Sequence, residues 1–171
     1  LPRTLRLTPA ATLTRTRTAD TCPLYVDLDG TLTPSDTLYE SVMLFIRRNP
    51  LNLLRLFVWL LLGKAGFKLK LANAVRPDPA RLPYHERFVQ YLREERARGR
   101  SLVLASAADA RIVRDGAAHL NLFDDTLGTN ARAAGVNLSR GNKRDAIAAH
   151  AQSRGHSSWA YAGNSADDIA V

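Results

Sequence analysis

Residues 25–33 read Tyr25-Val26-Asp27-Leu28-Asp29-Gly30-Thr31-Leu32-Thr33, preceded by Pro23 and Leu24. The apolar, β-prone run Pro23-Leu24-Tyr25-Val26 predicts a buried strand. Asp27 and Asp29 follow as that strand ends, and Gly30 lets the backbone turn. In open α/β sheets, ligands bind at the carboxyl ends of the strands. Two carboxylates at such an edge suit a site that needs negative charge, such as a metal and a nucleophile. Asp and Gly are also ordinary turn residues, so this stretch alone leaves both readings open.

Outward from it, the chain has the size and composition of one globular domain with room for a small subdomain: 171 residues, 46% hydrophobic and 23% charged. The one cysteine, Cys22, excludes an internal disulfide and fits a reducing compartment. The net charge of +8 lies wholly in residues 1–100, where 17 Lys/Arg face 9 Asp/Glu; residues 101–171 hold 7 of each. A basic excess suits anionic partners, whether phosphates, nucleic acid or anionic lipid, and equally a solvated surface. Nucleic acid is not expected, because no recognition motif accompanies the charge and the aromatics do not form stacking platforms.

Residues 1–22 are rich in Thr, Arg, Ala and Pro and read as a flexible basic arm without the apolar core of a signal peptide. After the Asp27 stretch, Pro34-Ser35-Asp36 supplies a break and a helix cap, and a helix is predicted to about Arg48. Asn49-Pro50 restarts a helix with Asn49 as cap. From Leu51 to Leu62 every residue except Asn52 and Arg55 is apolar. Such a helix is buried or meets lipid, and twelve residues fall short of the roughly 20 that span a bilayer. Its favoured place is against the domain as part of a helical cap; with the lysines Lys64, Lys68 and Lys70 that follow, it also suits a membrane surface. Arg76-Pro77-Asp78-Pro79 reads as a linker. Residues 83–98 predict an amphipathic helix with Phe88, Tyr91 and Leu92 inward. Strands are expected at residues 101–105, 123–127 and 159–162, with helices to about His119 and from Asn142 through Gln152. This alternation predicts an α/β fold: a parallel sheet covered by helices, with core segments at 23–33 and 81–171 and a helical cap at 34–80 inserted after the first strand.

In a parallel sheet the loops after the strands share one edge, so Asp27, Asp29, Ser106, Lys143, Asp167 and Asp168 can converge. Together they would support phosphoryl transfer. Asp27 suits a nucleophile forming an aspartyl-phosphate, and Asp29 a general acid and base. Asp27, Asp29 and Asp168 offer the hard oxygens that Mg²⁺ prefers. Ser106 and Lys143 suit the phosphoryl oxygens, with Ser106 ahead of a helix whose free amides attract phosphate. Each has a duller reading: Ser106 or Asp109 as a helix N-cap, Lys143 as a surface lysine, Asp167 and Asp168 as a turn.

At this point the chain resembles the haloacid dehalogenase superfamily. Asp27-Leu28-Asp29-Gly30-Thr31 is similar to its first motif, Ser106 after a buried strand to its second, Lys143 to its third and Gly163-Asn164-Ser165-Ala166-Asp167-Asp168 to its fourth. The resemblance covers about residues 23–171 and implies a Rossmann-like fold, Mg²⁺-dependent hydrolysis, Asp27 as nucleophile, Asp29 as acid and base, Thr31, Ser106 and Lys143 as phosphate binders, and Asp168 in the metal site. The insertion after the first motif looks like the helical cap of phosphoserine-phosphatase-like members. Asn164 stands where many members carry an acid, which implies a metal site leaning on Asp168, with Asp167 as a further candidate.

The segments Arg47-Arg48-Asn49-Pro50, Gly63-Lys64, Leu82-Pro83-Tyr84 and Leu104-Ala105-Ser106-Ala107-Ala108-Asp109 are also similar to the soluble domain fused ahead of bacterial UbiA-family prenyltransferases. That resemblance implies a cytoplasmic site at the inner membrane face, a phosphorylated prenyl or prenyl-sugar substrate, and a membrane prenyltransferase as fused or separate partner. The alternative it leaves is a catalytically weak domain that serves such a partner.

Overall fold

Alternation along the first strand sends Leu24 and Val26 to one face of a sheet and Tyr25 to the other, and the two faces acquire different helices. The computed structural model describes residues 22–130 and 141–164. Within them four parallel strands, β1 (Leu24–Val26), β2 (Leu102–Asp109), β3 (Asp125–Thr129) and β4 (Ala160–Ala162), lie in the order β3-β2-β1-β4. Leu24, Val26, Leu102 and Leu104 pack with Val89 and Leu92 of α4 (Glu86–Ala97) and with Ile112, Val113 and Ala117 of α5 (Ala110–Leu120). Tyr25, Val103 and Ala105 pack with Ile147 and Ala151 of α6 (Gly141–Ser153) on the opposite face. The result is a Rossmann-like α/β fold, as the alternation of strands and helices predicts. Both faces of β1 and of β2 as far as Ala105 are covered, so these stretches are apolar throughout instead of alternating with polar residues.

Three helices intervene between β1 and the core helices: α1 (Thr37–Arg48), α2 (Asn52–Leu60) and α3 (Gly63–Ala74), followed by a 3-10 turn at Pro79–Arg81. Asp36 caps α1 by accepting from Leu38 N at 2.7 Å, and Arg47 and Arg48 sit in its last turn, where the helix dipole favours cations. These helices share a small core of their own, Phe45, Leu56, Leu71 and Val75, with Trp59 stacked on Phe45 at 5.1 Å. Asn52 is buried there and donates to Phe45 O at 2.8 Å.

Several local expectations are corrected. α2 begins later than Asn49-Pro50 suggests; Asn49 instead closes a turn, its Oδ1 accepting from Leu51 N at 2.9 Å. Most of α2 does not pack on the domain: Asn52 and Leu56, four apart, are buried, while Leu61 is 86% exposed and Leu54 66%. Tyr91 is exposed as well. Val89 takes the inward place and Tyr91 stacks on Phe88 outside. The strand at 101–105 is longer than predicted and runs to Asp109, with an irregularity between Ala105 and Asp109. Of the sequence expectations, the arm, except Cys22, and the final acids Asp167 and Asp168 lie outside the described residues.

Candidate active site

β1 lies between β2 and β4, so the residue after it emerges in the middle of the sheet edge. That residue is Asp27. Its backbone N donates to Ala162 O at 2.9 Å, which holds it to β4, and its Oδ1 accepts from Leu28 N at 2.9 Å. Its Oδ2 lies 3.1 Å from Lys143 Nζ. Asp27 and Lys143 are 7% and 6% exposed, so the pair is desolvated and its attraction is far less screened than at a surface. Lys143, two residues into α6, also donates to Tyr161 Oη at 2.8 Å. Tyr161 lies in β4 and was not among the expected site residues; its place on the α6 face of the strand, like Tyr25 on β1, is the signal that points to it.

After Asp27 the chain folds into a tight turn. Leu32 N donates to Leu28 O at 3.0 Å and Thr33 N to the same oxygen at 2.9 Å. Gly30 adopts φ +75°, and a Cβ there would lie 2.3 Å from Asn164 Nδ2. Glycine is therefore required twice, for its conformation and for the close approach of Asn164. This contact brings residue 164 to the carboxylate turn, as the sequence expects.

Asp29 reaches the other way, toward the inserted helices. Its Oδ1 accepts from Thr37 N, at the start of α1, at 2.8 Å. Burial raises its pKa above the ordinary carboxylate value, and this outweighs the opposing hydrogen bonds from Thr37. Asp29 thus holds a proton more readily than a free carboxylate does. Thr31 contributes a buried hydroxyl that has no hydrogen-bond partner among the described residues. A polar group left so in a protein interior asks for a ligand or water.

Ser106 is buried in β2, two residues past its last pairing with β1, and its Oγ accepts from Ala108 N at 3.1 Å. β2 continues past Ser106, so its place directly ahead of a helix is corrected; of the two N-cap candidates, Ser106 and Asp109, it is Asp109 that caps α5, accepting from Arg111 N at 3.0 Å. Among the described residues no group of three or more His, Cys, Asp or Glu side chains is placed to hold a metal. The donors present at the turn, Asp27, Asp29 and the Asn164 amide, are hard oxygens of the kind Mg²⁺ takes, and they fit it in chemistry.

A buried carboxylate–lysine pair, a second carboxyl whose pKa burial raises, and a glycine turn thus lie together at the centre of a parallel sheet edge. The family model for haloacid dehalogenase-like hydrolase matches residues 24–171, and the chain belongs to that family. It is 34% identical over 149 residues to an uncharacterized protein, y4nM, of Sinorhizobium fredii; the match takes in 87% of this chain and 28% of that protein, so the chain spans little more than a quarter of its relative's length. Among solved structures it is similar to a protein of unknown function from Bordetella pertussis (TM-score 0.62, 20% identity, 80% of this chain and 76% of that one). It is also similar to a HAD-family hydrolase from Salmonella enterica serovar Typhi (0.63, 13%, 89% and 60%). A substrate-bound phosphoserine phosphatase is a further neighbour (0.62, 14%, 88% and 80%). At these identities the likeness in structure is one of fold.

No helix among the described residues is long and apolar enough to cross a membrane.

Proposed function

We propose that the chain is a phosphatase acting through an aspartyl-phosphate on Asp27. The observation that carries this reading is the desolvated Asp27–Lys143 pair beside Asp29, a carboxyl whose burial raises its pKa. Lys143 fixes the Asp27 carboxylate and balances the phosphoryl charge that comes to lie beside it. A carboxylate oxygen of Asp27 attacks phosphorus, and the bond from phosphorus to the leaving oxygen breaks. Asp29 gives its proton to that oxygen. Asp29 then takes a proton from the water that attacks the aspartyl-phosphate, and inorganic phosphate leaves as the Asp27 carboxylate is restored. Thr31 Oγ and Ser106 Oγ are the hydroxyls that would meet the phosphoryl oxygens. Mg²⁺, held by Asp27, the Asp29 carbonyl and Asp168 with Asn164 and Asp167 in support, would supply charge neutralisation of the phosphoryl group.

Phosphate release from p-nitrophenyl phosphate, with and without Mg²⁺, tests this directly. Turnover is expected in the wild type with Mg²⁺, and turnover that survives Asp27→Asn would overturn the mechanism. The alternative, a weakly active module serving a membrane prenyltransferase, draws on Asn164 in place of an acid. It gains if the wild type neither binds Mg²⁺ nor releases phosphate from any ester.

The setting we propose is an anionic membrane surface, with a phosphorylated prenyl or prenyl-sugar substrate. Its support is α2 and the residues that follow it, where Leu53, Leu54, Phe57, Val58, Leu61 and Leu62 are exposed together. Arg47, Arg48, Arg55 and Lys70 are exposed on the same helices, and this charge complements anionic headgroups. The greater length of the Sinorhizobium relative leaves room for a fused UbiA-type domain. Wild-type protein is expected to sediment with phosphatidylserine vesicles and a Phe57→Glu/Leu61→Glu variant to stay in the supernatant. Failure of the wild type to sediment removes the lipid part of the reading.

A further inference from the structure

A cavity of about 230 Å³ lies between α1, α3 and the end of β2, with Asp29 in its wall. It is the space in which the leaving part of a substrate attacked by Asp27 would sit. Its far side is made by Lys64 and Lys68 of α3. Four apart on a helix, the two ammonium groups share one face and repel each other. Lys68 is half-buried and its Nζ donates to Ala107 O across a long 3.4 Å. Burial lowers its pKa, and Lys64 lowers it further. Among the described residues neither lysine has a carboxylate within 4.0 Å.

The carboxylates that share the cavity are engaged elsewhere. Asp36 caps α1 and Asp29 accepts from Thr37 N. Asp109 is gripped by Arg111 through two hydrogen bonds, at 2.8 and 3.0 Å, which hold its pKa low against the effect of burial. Asp36 and Asp29 attract Lys68 from a distance, but neither lysine closes an ion pair with them, and both line a cavity whose other walls include Leu71 and Ile112. Such a pair is balanced by an anion that arrives with the ligand.

We propose that Lys64 and Lys68 form a second anion subsite, and that the substrate is a phosphate monoester whose leaving group carries a further phosphate or carboxylate. This rests on the phosphatase reading for its first anion but on α3 alone for its second. The small cavity places the two anionic groups a few bonds apart. Lys64 and Lys68 set specificity here and take no part in the chemical step.

The test compares kcat/KM for propane-1,3-diol bisphosphate and 2-phosphoglycolate with that for p-nitrophenyl phosphate, in wild type and in Lys64→Met/Lys68→Met. The ratio of either substrate with two anionic groups to the aryl phosphate is expected to fall at least tenfold, chiefly through KM, and Lys64→Arg/Lys68→Arg is expected to restore it. The substrate whose ratio falls more tells phosphate from carboxylate. A ratio within twofold of wild type for both substrates overturns the subsite. A separate measurement keeps the two readings distinguishable. In the Asp27→Asn protein, methylenediphosphonate or malonate is expected to raise Tm in a concentration-dependent way, and the added lysine changes are expected to abolish the rise. If no ester is turned over but this lysine-dependent stabilisation appears, the phosphatase reading falls and the subsite stands. If the rise is absent, or persists without the lysines, the subsite falls.

Discussion

Helix α6 serves both ends of the sheet, and the two ends use the same kinds of residue differently. At its start Lys143 meets Asp27 at 3.1 Å and Tyr161 at 2.8 Å. Seven residues on, about two turns and ~10 Å along the axis, His150 accepts or donates to Tyr25 Oη at 2.8 Å and meets Asp125 at 3.0 Å. Arg154, just beyond the helix, reaches the same Asp125 oxygen at 2.6 Å. Each end has a carboxylate, a basic group and a tyrosine. Around Asp125 those groups satisfy one another, and Arg154 lies at the surface. Around Asp27 the environment holds more than the pair requires: a Thr31 hydroxyl with no hydrogen-bond partner among the described residues, a glycine turn pressed on Asn164, and a carboxyl at Asp29 whose pKa burial raises. A staple and a site share a vocabulary, and what separates them is the polar capacity left for something else.

The largest effect that would sharpen this contrast is at Asp27. Asp27→Asn is expected to lower phosphatase turnover by roughly 10³-fold or more, as loss of a nucleophile does, while thermal melts show a folded protein. Next is Lys143→Met. It leaves the Asp27 carboxylate buried beside a tyrosine, which costs about 3–5 kcal/mol of stability for a broken buried pair, measurable by denaturant unfolding, and turnover falls with it. Gly30→Ala follows: its methyl meets Asn164 at a distance no Cβ tolerates, so a loss of about 1–3 kcal/mol is expected, together with reduced turnover. At the other end, Asp125→Asn is expected to cost about 1–2 kcal/mol at neutral pH and to leave kcat/KM within twofold. An equal loss of turnover from Asp125→Asn would break the comparison.

The smallest effects are pH-dependent, and the two carboxylates move in opposite directions. Burial acts to raise the Asp125 pKa, but the His150 hydrogen bond, aided by Thr126 N and Arg154, brings it below the ordinary value. Its stabilising contribution is present above the ordinary carboxylate pKa and is lost as pH falls through the lowered folded value. Asp29, held high by burial, does the reverse: the fold is favoured while it is protonated and loses that stability as pH rises from the ordinary value through the raised one. Unfolding measured from pH 3 to 7 should therefore show Asp29→Asn gaining on the wild type as pH rises, and Asp125→Asn losing the wild type's acid-side slope.

Much of this was legible from residues 24–33. A short apolar strand ending in two carboxylates and a glycine placed the sheet edge, and alternation of strands with helices gave the parallel sheet. Lys143 and Asn164 reach the Asp27 turn because the edge residues of such a sheet converge. What the sequence hid depends on packing. α2 is apolar on nearly every side, so periodicity offers no face to read, and the buried pair Asn52 and Leu56 is unmarked. Tyr91 and Val89 are both acceptable inward residues on α4, and only the neighbouring strands decide between them. Lys68 looks like a surface lysine until α3 is folded over Asp29, while Lys64 beside it stays exposed at the cavity. Ser106 looks as if a helix follows it directly, because nothing local marks the irregular continuation of β2 to Asp109.

The strand order has a consequence for how the molecule assembles. β1 comes first in the chain but is central in the sheet, with β2 on one side and β4 on the other. Asp27 N is tied to Ala162 O, and Gly30 meets Asn164, across more than 130 positions. Contacts of that sequence separation form late and slowly, because loop closure must precede them. During synthesis the first motif therefore emerges long before its last support, so a half-made chain carries the carboxylates but not their geometry. The surroundings of Asp27 are complete only once β4 has docked beside β1.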